Sequence, residues 1–78
     1  MATVVLYSRP GCHLCDEARV VIVDVRASVP FAFDEVNIES DDALVRDYGI
    51  RIPVVTIDGE EAFEISVDAD ALRAAVGG

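Results

Sequence analysis

The chain has 78 residues, 53% of them apolar and 27% charged, with 15 acids against 6 bases for a net charge of -9. A chain of this length forms at most one compact domain, because it buries only about 60% of its unfolded surface and must pack that fraction efficiently. The acidic balance excludes nucleic acid as a partner, since phosphate binding needs a basic surface; it reads as solubility, or as steering toward a basic partner protein. No run approaches the ~20 apolar residues of a membrane helix, and Met1-Ala2-Thr3 enters a strand-like segment without a basic leader, so a cytoplasmic protein away from membranes is expected.

In chain order, Thr3 to Ser8 reads as a strand, its run Val4-Val5-Leu6-Tyr7 being continuous and apolar as in buried parallel sheets. Arg9-Pro10-Gly11 breaks it. From Cys12, Leu14, Ala18, Val21, Ile22 and Val25 recur at helical spacing, and although Val20 to Val25 is rich in β-branched residues, length and position favour a helix. Ser28-Val29-Pro30 ends that helix. Phe31 to Val36 is a second strand with Phe31 and Phe33 on one face. Ser40 is the expected N-cap of a short helix, Asp41 to Tyr48, closed by Gly49 as its C-terminal cap. Pro53 to Ile57 is a third strand, Asp58-Gly59 a hairpin turn, and Ala62 to Ile65 the fourth strand. Asp68 starts a last helix through Leu72 and Val76, before a Gly77-Gly78 tail expected to fray.

The order β-α-β-α-β-β-α, in a single domain spanning residues 1–78, predicts an α/β fold with a four-stranded mixed sheet and helices on both faces. The surface shows no obvious apolar stripe in this reading, which favours a monomer.

Cys12 and Cys15 are the only cysteines, with two residues between them at the start of a helix. That spacing sets one thiol at the helix end and the other one turn further in, close enough to join in a disulfide. A structural staple is disfavoured, because the loop is too short to constrain the unfolded chain much and a reducing compartment is expected. A redox switch is the leading reading. A metal or iron-sulfur module, with each of two chains giving half of a four-ligand site and His13 as a spare ligand, is the alternative, and a redox-silent adaptor the third.

The attacking species in disulfide exchange is the thiolate. Unpaired N–H groups and the positive end of the helix dipole favour an anion at Cys12, as do Arg9 and His13 beside it in sequence. Asp16, one turn on, and Glu17 oppose it, so a moderately lowered Cys12 pKa is expected. His13 is read as an exposed side chain that tunes the thiolate, Leu14 as an apolar contact to the sheet or to substrate, and Arg9 as either an anchor for a substrate carboxylate or a surface ion pair.

Two motifs about forty residues apart, Tyr7-Ser8-Arg9-Pro10-Gly11-Cys12-His13-Leu14-Cys15 and Tyr48-Gly49-Ile50-Arg51-Ile52-Pro53, followed by Asp58-Gly59, resemble the glutaredoxin branch of the thioredoxin fold. Within that branch they resemble the small bacterial glutaredoxin-like proteins with a Cys-His-Leu-Cys motif. The resemblance implies a thiol-disulfide oxidoreductase with Cys12 as nucleophile and Cys15 as resolving thiol. It reduces disulfide-bearing proteins or mixed disulfides with glutathione, has no tightly bound cofactor or metal, and is re-reduced by glutathione or a flavoprotein reductase. It also implies a cis Ile52-Pro53 bond, with the Ile52 backbone turned to pair with an extended substrate and Arg51 at the groove edge. Glutaredoxins that bind glutathione carry a Gly-Gly pair before the last helix, where this chain has Ile65-Ser66-Val67-Asp68. The side chain of Val67 and the charge of Asp68 hinder the approach of the tripeptide's carboxylate, while backbone N–H groups at the start of the last helix, near Ser66, offer it another hold.

Overall fold

Residues 1–77 are described by a computed structural model in which the elements run β1 (Thr3–Ser8), α1 (His13–Ser28), β2 (Ala32–Asn37), a 3-10 turn (Ile38–Ser40), α2 (Asp42–Tyr48), β3 (Val54–Ile57), β4 (Glu60–Glu64) and α3 (Ala69–Gly77). Gly77 ends α3, and Gly78, the rest of the tail expected to fray, lies outside the described residues. The strands lie in the order β2-β1-β3-β4, so β2 and β4 are the edges. β1 runs parallel to β2 and antiparallel to β3, and β3 and β4 form the hairpin.

The register sorts the side chains. Val4 stands opposite Phe33 and Ile57, Leu6 opposite Val55, and Val55 opposite Phe63, so all of these share one face of the sheet. On that face Val4, Leu6 and Val55 pack with Ala18, Ile22 and Val25 of α1, Leu72 of α3, and Phe31. Val5 and Tyr7 point the other way, where the Tyr7 ring stacks on Tyr48 at the end of α2 with centroids 4.6 Å apart. This second face is covered more thinly, because α2 has seven residues and none of them is buried. Val5 and Tyr7 are therefore half-buried, and β1 alternates where a strand buried on both faces was expected.

Several element ends differ from expectation for local reasons. Ser40 does not cap α2: its hydroxyl donates to the Asn37 carbonyl at 2.7 Å, and the Asp41 carboxylate accepts the Ala43 N–H at 2.8 Å in its place. Gly49 is the C-cap and donates to the Val45 carbonyl, but in a right-handed conformation, φ -53° and ψ -36°. Phe31 precedes β2, and Pro53 precedes β3 with a cis bond from Ile52. β4 starts at Glu60, because Asp58 and Gly59 both take positive φ, 53° and 87°, and a two-residue turn of that kind brings Glu60 directly opposite Ile57. The turn is fastened to β1, with the Thr3 N–H donating to Asp58 Oδ1 at 3.0 Å and the Asp58 N–H to the Thr3 carbonyl at 2.8 Å.

The β-branched run in α1 is apolar around the whole helix, and a helix on a sheet buries one side only. Val20 and Val23 are consequently 69% and 52% exposed beside the exposed Ala27, so the structure does carry an apolar stripe that the sequence reading did not find.

Candidate active site

Cys12 ends the loop after β1 and caps α1. Its backbone is extended, its Sγ accepts the Cys15 N–H at 3.2 Å, and its carbonyl accepts the Asp16 N–H. A sulfur so placed faces the unpaired donors of a helix start, an arrangement that favours its anion. Gly11, with φ 79°, makes the turn that delivers it there. Cys15, one turn inside, is fully buried, whereas Cys12 is half-buried. The two are joined in a disulfide with their Cα atoms 5.2 Å apart. His13 and Leu14, between them, are exposed.

Two of the four side chains expected to act on Cys12, Arg9 and Asp16, have charged partners. Arg9 Nε lies 3.7 Å from Glu39 Oε2, so of its two expected roles the structure displays the ion pair. Asp16 is held by Arg19 at 2.9 Å, which offsets much of the opposition it offers to a neighbouring thiolate. Arg19 also grips Glu35 with two bonds, of 2.7 and 2.5 Å, and the buried Ser8 hydroxyl donates to the same carboxylate at 2.8 Å. The Arg19 hydrogen bonds hold the Glu35 carboxyl below its ordinary range, against the opposing effect of burial and with help from Ser8; those bonds in turn raise Arg19. This cluster floors an open polar groove of about 370 Å³ beside the motif, lined also by Arg9, Pro10, Gly11 and Asn37. Sequence reasoning missed Glu35, Arg19 and Ser8, whose meeting depends on the parallel register of β1 and β2.

On its other flank the motif borders a second groove, of about 220 Å³, between Leu14, Glu17, Ala18 and Val21 of α1 and the Ile65-Ser66-Val67 segment. Leu14 thus meets a groove and is not packed on the sheet. Ile65 has φ 71°, and around it the Ser66 N–H donates to the Glu64 carbonyl at 2.8 Å, a strained three-residue turn for a β-branched residue. Its own N–H donates to the Pro53 carbonyl at 2.8 Å, tying the segment to the cis-proline loop.

One expectation is corrected here. The N–H groups at the start of α3 are not open to a ligand carboxylate, because Asp68 Oδ1 accepts from Asp70 and Ala71 at 2.9 and 3.2 Å. Arg51 is turned toward β4, on Glu61 at 2.6 Å and Glu64 at 3.3 Å, with its guanidinium 5.3 Å from the centre of the Tyr48 ring. Burial and the neighbouring Tyr7 push the Tyr48 phenol up. Pro53 is buried and Ile52 half-buried. Among the described residues no three His, Cys, Asp or Glu side chains gather as a metal site, so a cluster would need ligands from a second chain. No helix of the described residues is long and apolar enough to cross a membrane.

A family model described as a glutaredoxin-like domain, DUF836, matches residues 3–77. A structural-genomics target protein from X. campestris is 36% identical, with 95% of each chain covered and a TM-score of 0.79. A protein of Nitrosomonas europaea is 28% identical over 96% of this chain and 91% of its own, with a TM-score of 0.83. A mutant thioredoxin from Halobacterium salinarum shares the fold at 22% identity, covering 96% and 71%, with a TM-score of 0.70. No curated protein matches the chain.

Proposed function

The chain belongs to the glutaredoxin-like domain family, and on that premise we propose that it is a dithiol thiol-disulfide oxidoreductase acting through Cys12 and Cys15. The observation that carries this reading is the asymmetry of the pair: a half-buried Cys12 whose sulfur accepts a helix-start N–H, joined to a fully buried Cys15. The exposed member of such a pair is the one a substrate reaches, and its anion is the one the helix start stabilises.

In the reduced protein, the Cys12 thiolate attacks one sulfur of a substrate disulfide. A mixed disulfide forms, and the other substrate sulfur leaves as a thiolate that takes up a proton. The Cys15 thiol then loses its proton and attacks Cys12 Sγ, which releases the second substrate sulfur. The substrate has gained two electrons and two protons, and the pair has become the disulfide. An external thiol, glutathione or the dithiol of a flavoprotein reductase, reverses the change on the protein. His13 and the α1 start tune the attacking sulfur, and Ile52 with Pro53 offers a backbone edge to an extended substrate. The Cys pair works without metal or resident cofactor.

The test is direct. Cys12→Ser abolishes reduction of a neutral disulfide such as bis(2-hydroxyethyl) disulfide, and Cys15→Ser accumulates a mixed disulfide visible by intact mass. Full activity in Cys12→Ser sinks the assignment.

A further inference from the structure

The groove between α1 and the Ile65-Ser66-Val67 segment is apolar on both walls and carries a single ionisable side chain, Glu17. Its volume of about 220 Å³ is smaller than the roughly 300–1,000 Å³ of small-ligand sites, and fits one aliphatic side chain better than a whole ligand. No cationic side chain lines this groove. Among the described residues Arg9, Arg19, Arg46, Arg51 and Arg73 each face a carboxylate, and Arg26 donates to the Phe31 carbonyl. Glu17 has no such partner among them, and the Asp68 carboxylate occupies the N–H groups of α3. The whole molecule adds a net charge of -9.

We infer that the substrates are cationic polypeptides that place an aliphatic side chain beside the disulfide, and that glutathione, an anion, is a poor one. The aliphatic side chain lies between Leu14, Val21, Ile65 and Val67, and a flanking lysine or arginine faces Glu17. The reaction is the exchange already written: two electrons and two protons pass from the Cys12/Cys15 dithiol to the peptide disulfide. This inference rests on the oxidoreductase reading and narrows it.

The experiment uses the reduced, desalted protein and four fluorescence-quenched disulfide peptides that differ at two places: a lysine or glutamate pair flanking the cysteine, and a leucine or serine next to it. Oxidised glutathione and the neutral hydroxyethyl disulfide accompany them. Each rate is divided by that of the same disulfide with dithiothreitol, which removes its intrinsic reactivity. At low salt the lysine peptides react at least tenfold faster than the glutamate ones, in the range that charge steering gives, and the gap closes as salt shrinks the Debye length toward about 3 Å near 1 M. Glu17→Lys lowers the lysine-to-glutamate ratio, a ratio from which any change in Cys12 ionisation cancels. Ile65→Gly lowers the leucine-to-serine ratio. Equal rates for lysine and glutamate peptides at low salt, or preference for oxidised glutathione, overturn the inference while turnover of the neutral disulfide leaves the oxidoreductase reading standing. No turnover of any probe overturns both.

Discussion

Replacing Ile65 by glycine and, separately, by alanine separates two effects that oppose each other at this position. Ile65 is 44% exposed, so its side chain gains roughly half of the approximately 1.5–3 kcal/mol that full burial gives, about 1 kcal/mol. Against this, φ 71° in a β-branched residue stores about 1–3 kcal/mol of backbone strain. Alanine loses the burial and keeps most of the strain, because the Cβ is its source, so Ile65→Ala costs about 1 kcal/mol. Glycine loses the same burial, sheds the strain and adds about 0.5–1 kcal/mol of unfolded-chain entropy. Ile65→Gly therefore ends near the wild type and about 1 kcal/mol above the alanine variant, the reverse of the usual order. Urea unfolding reads this as a midpoint about 1 M higher for glycine than for alanine, at an m-value near 1 kcal/mol/M for a small domain. A glycine variant that is the less stable of the two refutes the strained turn.

Glu35→Gln removes a carboxylate held by Arg19 and Ser8, and with Arg19 and Glu35 39% and 30% exposed the loss at neutral pH is at most about 1 kcal/mol after solvent screening. Because the folded-state pKa lies below the ordinary 4.5, the carboxylate's contribution is complete above that value and disappears as pH falls through the lower folded one. Unfolding midpoints of the two proteins should converge in acid, and a gap independent of pH would rule the pair out as its source. Asp68→Ala uncaps α3 at a cost of about 1 kcal/mol and vacates two N–H donors. Turnover of oxidised glutathione relative to the neutral disulfide should rise in that variant, and an unchanged ratio would show that Asp68 does not exclude the tripeptide.

What could be read in advance was what is local. Cys12 and Cys15, the Asp58-Gly59 turn and the apolar runs of β1 and β3 carry their structural meaning within a few residues. Glu35 and Arg19 do not, since they are 16 positions apart and β2 must lie parallel beside β1 before they meet. Ile65 gave no warning of a positive φ, because the usual sign is a glycine and the conformation is imposed by its bonds to Pro53 and around Glu64. Asp41 displaced Ser40 as the α2 cap because Asn37 drew the serine hydroxyl into the preceding turn. Leu14 stood in the same helical repeat as Ala18, Ile22 and Val25, but those three already fill the side of α1 that meets the sheet.

The two outer strands of the sheet give the chain's acidity a second consequence. β4 carries Glu60, Glu61 and Glu64 in five residues, and β2 carries Asp34 and Glu35. An unpaired strand offers its backbone donors and acceptors to any other strand that approaches, which is how sheets extend into aggregates. Two such molecules meeting edge to edge would bring like charges together before any backbone bond could form. That protection is only as good as the ionisation behind it. Near the isoelectric point of about 4.2 the repulsion fades, and the same two edges become sites for growth.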